Sequence, residues 1–304
     1  MENYVLKVTH LEKKYHNFKV LDDVTMTIKK GAIYGLIGKN GAGKTTLIRI
    51  ISGLQSPTSG EYVLYGTSHF EKGMTLSRRR MAAIIESPSI YMNMTARDNL
   101  LIQKKVCGLP TGKDIDILLE LVGLKNVGVK KVKHFSLGMK QRLGIAISLA
   151  SNPDFLILDE PINGLDPEGI IEMRELILKL NHEKGITILI SSHYLDELSK
   201  IATDYGFLNQ GKIVREVSSE KLNQFLKKKM NVKVSNSSAF VQYAEENNIS
   251  YEVNPDASFT IFDNYNLSSL VLELDKRDCR IEDYTEYEES LETYYMNLLG
   301  GERK

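Results

Sequence analysis

Nine residues, Gly38-Lys39-Asn40-Gly41-Ala42-Gly43-Lys44-Thr45-Thr46, restrict this chain more than any other part of it. They follow a short apolar run, Ile33–Ile37. They precede a segment that is apolar at helical spacing (Leu47, Ile50, Ile51) and that Gly53 closes. A strand, a glycine-rich turn and a helix in that order form the context of a phosphate-binding loop. Glycines let the backbone curl so that successive N–H groups point inward, and the helix adds its positive N-terminal end. Lys44 would then reach the β- and γ-phosphates of a nucleotide, and the Thr45 hydroxyl would ligate Mg²⁺.

The rest of the first two thirds fits the sheet that such a loop requires. Met81–Ile85, Phe155–Leu158 and Thr187–Ile190 are continuous apolar runs of buried-strand length. Helical patterns alternate with them over 96–123 (broken at Gly108–Gly112), 138–150, 167–184 and 194–202. That alternation predicts a parallel sheet flanked by helices. Strands at 4–9, 20–28 and 61–65 predict a separate antiparallel edge sheet, and 206–208 with 212–217 a closing hairpin.

Composition changes near residue 230. The whole chain has 304 residues, with 39 Lys plus Arg against 39 Asp plus Glu. That balance argues against a protein built to grip nucleic acid. From Asn231 onward there are 15 acidic and 6 basic residues, a net of −9, which leaves residues 1–230 at +9. The reading is a domain over 1–225 and an accessory one over 226–304, joined by a basic, helical connector at 221–229. Beyond the connector the order strand (232–234), helix (239–247), strands (249–253 and 259–262), helix (267–276), strand (280–284) predicts a small ferredoxin-like α+β module, followed by a helix at 291–299. Cys107 and Cys279 lie far apart and read as reduced thiols. No apolar run reaches the length of a membrane span, and the N-terminus has no signal-peptide pattern.

Three further motifs carry chemistry. Phe155-Leu156-Ile157-Leu158-Asp159-Glu160 ends a strand in two carboxylates: Asp159 to hold Mg²⁺ through water, Glu160 to polarise an attacking water. Phe135-Ser136-Leu137-Gly138-Met139-Lys140-Gln141-Arg142 places Ser136 and Gly138 at a helix N-terminus. Free N–H groups there would bind phosphate, although alone the segment reads as a simple N-cap. His193 follows a parallel strand, on the ligand-binding edge of an open sheet, where it would stabilise a γ-phosphate or serve structure only.

Taken together these residues resemble the ATP-binding subunit of an ABC transporter. Phosphate loop (38–46), signature (135–142), acidic strand (155–160), Asn163-Gly164-Leu165-Asp166 and His193 come in the family's order, over about residues 4–220. The resemblance implies an α/β P-loop NTPase with an antiparallel edge sheet and a helical subdomain. It implies ATP and Mg²⁺ as ligands, held by Gly38, Lys39, Asn40, Gly41, Ala42, Gly43, Lys44, Thr45 and Thr46. Tyr15 is similar to the residue that stacks on adenine, or is a surface aromatic of the edge sheet, and Val20 would line the same base site. Ser136 and Gly138 would touch the γ-phosphate held by a second subunit, and Asp166 would communicate across that dimer. Two ATP molecules would be sandwiched in a homodimer or a pair of ATPase subunits. Glu160, His193, Lys44 and Glu86 would be catalytic, with Thr45, Asp159 and Glu86 near the metal.

Two departures refine the resemblance. Leu137 and Met139 replace the usual Gly and Gln of the signature. Glu86 stands where the family places Gln, keeping an oxygen acceptor but adding charge and losing the amide donor. With Ser87-Pro88-Ser89 and Thr95-Ala96-Arg97-Asp98-Asn99-Leu100, it is similar to exporters of bacitracin and of lantibiotic peptides, or it is neutral drift. The tail from Glu289 to Gly301 resembles the terminal helix of drug-exporter ATPase subunits. The implied protein is cytoplasmic and peripheral, bound to the inner face of the membrane through a separate permease. The alternatives are an exporter of another cargo, or a soluble ATP-driven switch in translation or DNA repair. Translation-type members carry two such domains in one chain, and repair-type members insert long coiled coils. This chain shows neither pattern.

Overall fold

All residues of Ile33–Ile37, Phe155–Asp159 and Thr187–Ser192 are buried. Runs without a solvent face belong inside a sheet covered on both sides. In the computed structural model, which describes residues 3–112, 114–226, 228–262, 266–288 and 290–300, they are central strands of a six-stranded sheet. By contacts the chain divides into two units, Met1–Ser219 and Glu220–Lys304.

The first unit runs β1 (Tyr4–Tyr15), β2 (Phe18–Lys29), β3 (Ile33–Ile37), α1 (Lys44–Ile51), β4 (Ser59–Leu64), β5 (Thr67–Ser68), α2 (Met74–Arg78) and β6 (Met81–Ile84). It continues with α3 (Ala96–Val106), α4 (Asp114–Leu121), α5 (Leu137–Leu149), β7 (Phe155–Asp159), α6 (Pro167–Lys184), β8 (Thr187–Ser192), α7 (Leu195–Ser199), β9 (Asp204–Asn209) and β10 (Lys212–Ser218). The large sheet has the order β10-β9-β3-β8-β7-β6. Its strands are parallel except β10, which returns from β9 as an antiparallel edge. Parallel strands bring the loops after β3, β6, β7 and β8 to one edge, where open α/β sheets bind ligands.

The second sheet, β2-β1-β4-β5, is antiparallel throughout. Leu11, Leu21 and Met26 from this sheet share one core with Leu47 and Ile51 of α1 and Phe155 of β7. Burying each such side chain contributes about 1.5–3 kcal/mol, so α1 is fixed chiefly by what it packs on. Tyr34 is buried on β3 and donates to Glu216 Oε1 at 2.7 Å. Burial holds its phenol well above the usual range, so it stays a neutral donor. A β-carbon on Gly206 would fall 2.1 Å from that phenol oxygen, which is why β9 has glycine there.

The second unit contains β11 (Lys228–Val234), α9 (Ser237–Glu246), β12 (Tyr251–Val253), β13 (Phe259–Ile261), α10 (Leu267–Asp275), β14 (Ile281–Glu288) and α11 (Leu291–Gly300). The sheet order β12-β13-β11-β14, antiparallel at every pairing, is the ferredoxin-like arrangement expected for a β-α-β-β-α-β chain. Met230, Val232, Phe240, Phe259 and Leu270 lie in its own buried core. The connector differs from the sequence reading. A short helix, α8 (Ser219–Phe225), precedes it, and Lys228 and Lys229 already belong to β11. Lys227, Glu289 and Gly301 lie outside the described residues.

Candidate active site

Gly38 opens the loop after β3 with no room for a side chain: a β-carbon there would lie 2.6 Å from the Leu208 carbonyl oxygen. Gly41 and Gly43 have φ of +83° and +109°, which L residues rarely adopt. Gly43 is the N-cap of α1, and a β-carbon on it would press on Leu21 Cδ2 at 2.7 Å and the Val20 carbonyl oxygen at 3.0 Å. Val20 therefore backs the loop through its main chain. Exposed Lys39 and Asn40 flank buried Ala42, and Thr46 is half-buried in the first turn of α1.

Lys44 is 6% exposed. Its ammonium donates to the Gly38 carbonyl at 2.7 Å and lies 3.2 Å from Glu160 Oε1. The other Glu160 oxygen, Oε2, is 2.8 Å from His193 Nδ1. Lys44 opens α1, Glu160 follows β7 and His193 follows β8, and the three form one contact chain. Beside it, the Thr45 hydroxyl donates to Asp159 Oδ2 at 2.8 Å. Ser191 Oγ donates to Asp159 Oδ1 at 2.5 Å and accepts from the Glu160 amide at 3.0 Å. Glu160 itself has φ +50°, a left-handed conformation held by that amide bond and a second one to the Ser191 carbonyl at 3.1 Å. Glu86 also stands at this sheet edge, two residues beyond Ile84, which pairs with Leu158. Its carboxylate is 63% exposed and takes a 2.6 Å hydrogen bond from Arg49 Nη2.

The sequence pattern of the ABC transporter family matches residues 21–163. The bacitracin transport ATP-binding protein BcrA of Bacillus licheniformis is 41% identical over 303 residues, covering 98% of each chain. The lantibiotic transport ATP-binding protein SrtF of Streptococcus pyogenes is 46% identical over 212 residues, 70% of this chain and 90% of that one. A solved ATP-binding cassette, a dimer in a post-hydrolysis state bound to ADP and Pi, superposes with a TM-score of 0.62 at 26% identity. That match covers 70% of this chain and 98% of the other. The chain belongs to the ABC transporter family.

In this ABC protein the remaining sequence candidates form separate groups. Ser136 is the N-cap of α5 and accepts from the Met139 amide at 3.2 Å. Asp166 is the N-cap of α6 and accepts from the Gly169 amide at 3.0 Å. The two helix starts face each other closely. A β-carbon on Gly138 would meet Leu165 Cδ2 at 3.8 Å, and one on Gly164 would meet Leu137 Cδ2 at 3.2 Å. Tyr15 ends β1 and is 40% exposed, its hydroxyl donating to Gln55 Oε1 at 2.7 Å with Lys13 Nζ 5.2 Å from its ring centre. Sequence reasoning missed Arg49 as a partner of Glu86 and Ser191 as the bridge between Asp159 and Glu160. Arg49 had a signal: it stands four residues after Thr45, on the same face of α1.

Proposed function

We propose that this ABC chain hydrolyses ATP to power export of a bacitracin- or lantibiotic-type peptide through a separate permease. The observation that carries the ATPase reading is the chain Lys44–Glu160–His193 set beside the pair Thr45–Asp159 at the mouth of the glycine loop. The loop amides and Lys44 bind the phosphates, Tyr15 and Val20 take the base, and Glu160 accepts the proton of the attacking water at a carboxylate oxygen. His193, with Nδ1 on Glu160, keeps Nε2 for the γ-phosphate. Ser136 and Gly138 serve the nucleotide of a second subunit, and Asp166 lies at that dimer contact, so that ATP sits between paired subunits.

The donor set suits Mg²⁺. Thr45 and Asp159 offer hard oxygens 2.8 Å apart. Among the described residues no group of three or more His, Cys, Asp or Glu could hold an ion by itself, so phosphate and water oxygens would complete its shell. Thr45 and Asp159 would hold it, with Glu86 as a further candidate, and when bound it neutralises charge on the transferring phosphate.

Among the described residues no helix is long and apolar enough to cross a membrane, which fits a peripheral subunit seated on a permease at its cytoplasmic face. Bacitracin is the favoured cargo because the alignment with BcrA extends through the second unit, to 98% of the chain. We assign ATP binding to the first unit and an accessory role to the second.

The test is co-expression with a candidate permease, in a sensitive bacterium challenged with bacitracin and a lantibiotic panel. Wild type is expected to protect. Glu160→Gln should bind ATP as wild type does, hydrolyse it about 100-fold more slowly or worse, and give no protection. Protection by Glu160→Gln would remove Glu160 from its role. No protection by wild type, with the permease in the membrane, would remove the cargo.

A further inference from the structure

Glu86 is the third carboxylate, after Asp159 and Glu160, at a sheet edge built to receive a polyanion. Each of the other two has a partner within the site: Thr45 and Ser191 for Asp159, Lys44 and His193 for Glu160. Glu86 turns instead to Arg49, whose Nη2 donates to Oε1 at 2.6 Å. Its backbone is held at φ +63°, with the next amide, Ser87 N, bonded back to the Ile85 carbonyl at 2.8 Å. A non-glycine residue keeps that conformation only where its surroundings impose it. Arg49 stands in the last turn of α1, one turn beyond Thr45 and on the same helix face. The helix that presents the phosphate loop at one end thus restrains Glu86 at the other. A glutamine in position 86 would need no such counter-ion, whereas a free carboxylate beside the loop would repel phosphate.

We infer that Arg49 is a positioning residue: it holds the Glu86 carboxylate against α1 and cancels its charge, and so sets the affinity of the site for MgATP. The inference rests on the reading of the 38–46 loop as the nucleotide site. Both side chains are partly exposed, at 37% and 63%, so the pair adds little to folding. Its effect belongs in binding.

The experiment measures the dissociation constant of MgATP for the full chain as wild type, Arg49→Ala, Glu86→Gln and the double variant, with the thermal midpoint of each as a folding control. Arg49→Ala should weaken binding about threefold to tenfold, the effect of one partly screened charge. In the Glu86→Gln background the same change should cost less than about twofold. Arg49→Lys should recover most of the affinity, and the midpoints should agree. Equal loss in both backgrounds would mean that Arg49 acts on the nucleotide or on α1 directly, and would overturn the inference. So would no loss in either. Wild type that binds no MgATP, and equals Lys44→Ala in this, would overturn the nucleotide-site reading and the inference with it.

Discussion

Buried at the end of β8, the Ser191 hydroxyl serves two carboxylate residues at once, donating to Asp159 Oδ1 and accepting from the Glu160 amide. Removing it leaves Glu160 its second amide bond, to the Ser191 carbonyl, but frees the carboxylate that Thr45 shares. Ser191→Ala is therefore expected to lower ATP turnover by about tenfold or more, as loss of an orienting hydrogen bond does at metal-assisted sites. A loss of about 1–2 kcal/mol in unfolding free energy, read by urea titration, should accompany it. Turnover equal to wild type in a steady-state assay would show that Asp159 needs no such hold. Residues such as Lys44, Asp159 and Glu160 are legible in sequence because a glycine loop or an apolar strand ending in acids announces them. Ser191 was in view as the neighbour of His193, yet its task is defined by groups some thirty residues back that only the sheet register brings alongside it. The place of Arg49 on the Thr45 face of α1 could be read, but its pairing with Glu86, 37 residues further on, could not.

The junction from β3 to α1 depends on Gly43, whose φ of +109° lies outside even the ordinary left-handed region. Gly43→Ala would impose strain of about 1–3 kcal/mol and push against Leu21 and Val20. The expected result is MgATP binding weakened by about tenfold or more and a lower unfolding midpoint, both read by titration. Unchanged affinity would show that the loop has another conformation suited to phosphate. Elements with a single, unbroken pattern were readable: the buried strands, and the helices that Ser136 and Asp166 cap. Others were hidden by a local break in that pattern. β1 extends to Tyr15, well past the residue where its alternation stops, because register shifts between Val8 and Leu11 and beyond reset which face is buried. The strand at 232–234 was readable, but the start of β11 was hidden by its lysines: Met230, Val232 and Val234 point into the core while Lys229 and Lys233 take the other face.

Each of the two units has a core of its own, so the molecule should not melt as one body. Calorimetry of the full chain is expected to show two transitions. MgATP at about 100 times its dissociation constant should stabilise only the first unit, by about 2.7 kcal/mol, and at the same concentration Gly43→Ala should cut the shift to about 1.4 kcal/mol or less. A single transition that MgATP moves as a whole would show the units unfolding together. The order of the large sheet has a consequence for synthesis. β3 finds its neighbours in β8 and β9, where Ile33 pairs with Ile188 and Tyr34 with Asp204. A ribosome adding about 5–20 residues per second therefore exposes the glycine loop for roughly 10–35 s before the strands that flank it have emerged. Throughout that interval the nascent chain presents two unpaired apolar strand edges, open to aggregation unless a holding chaperone covers them.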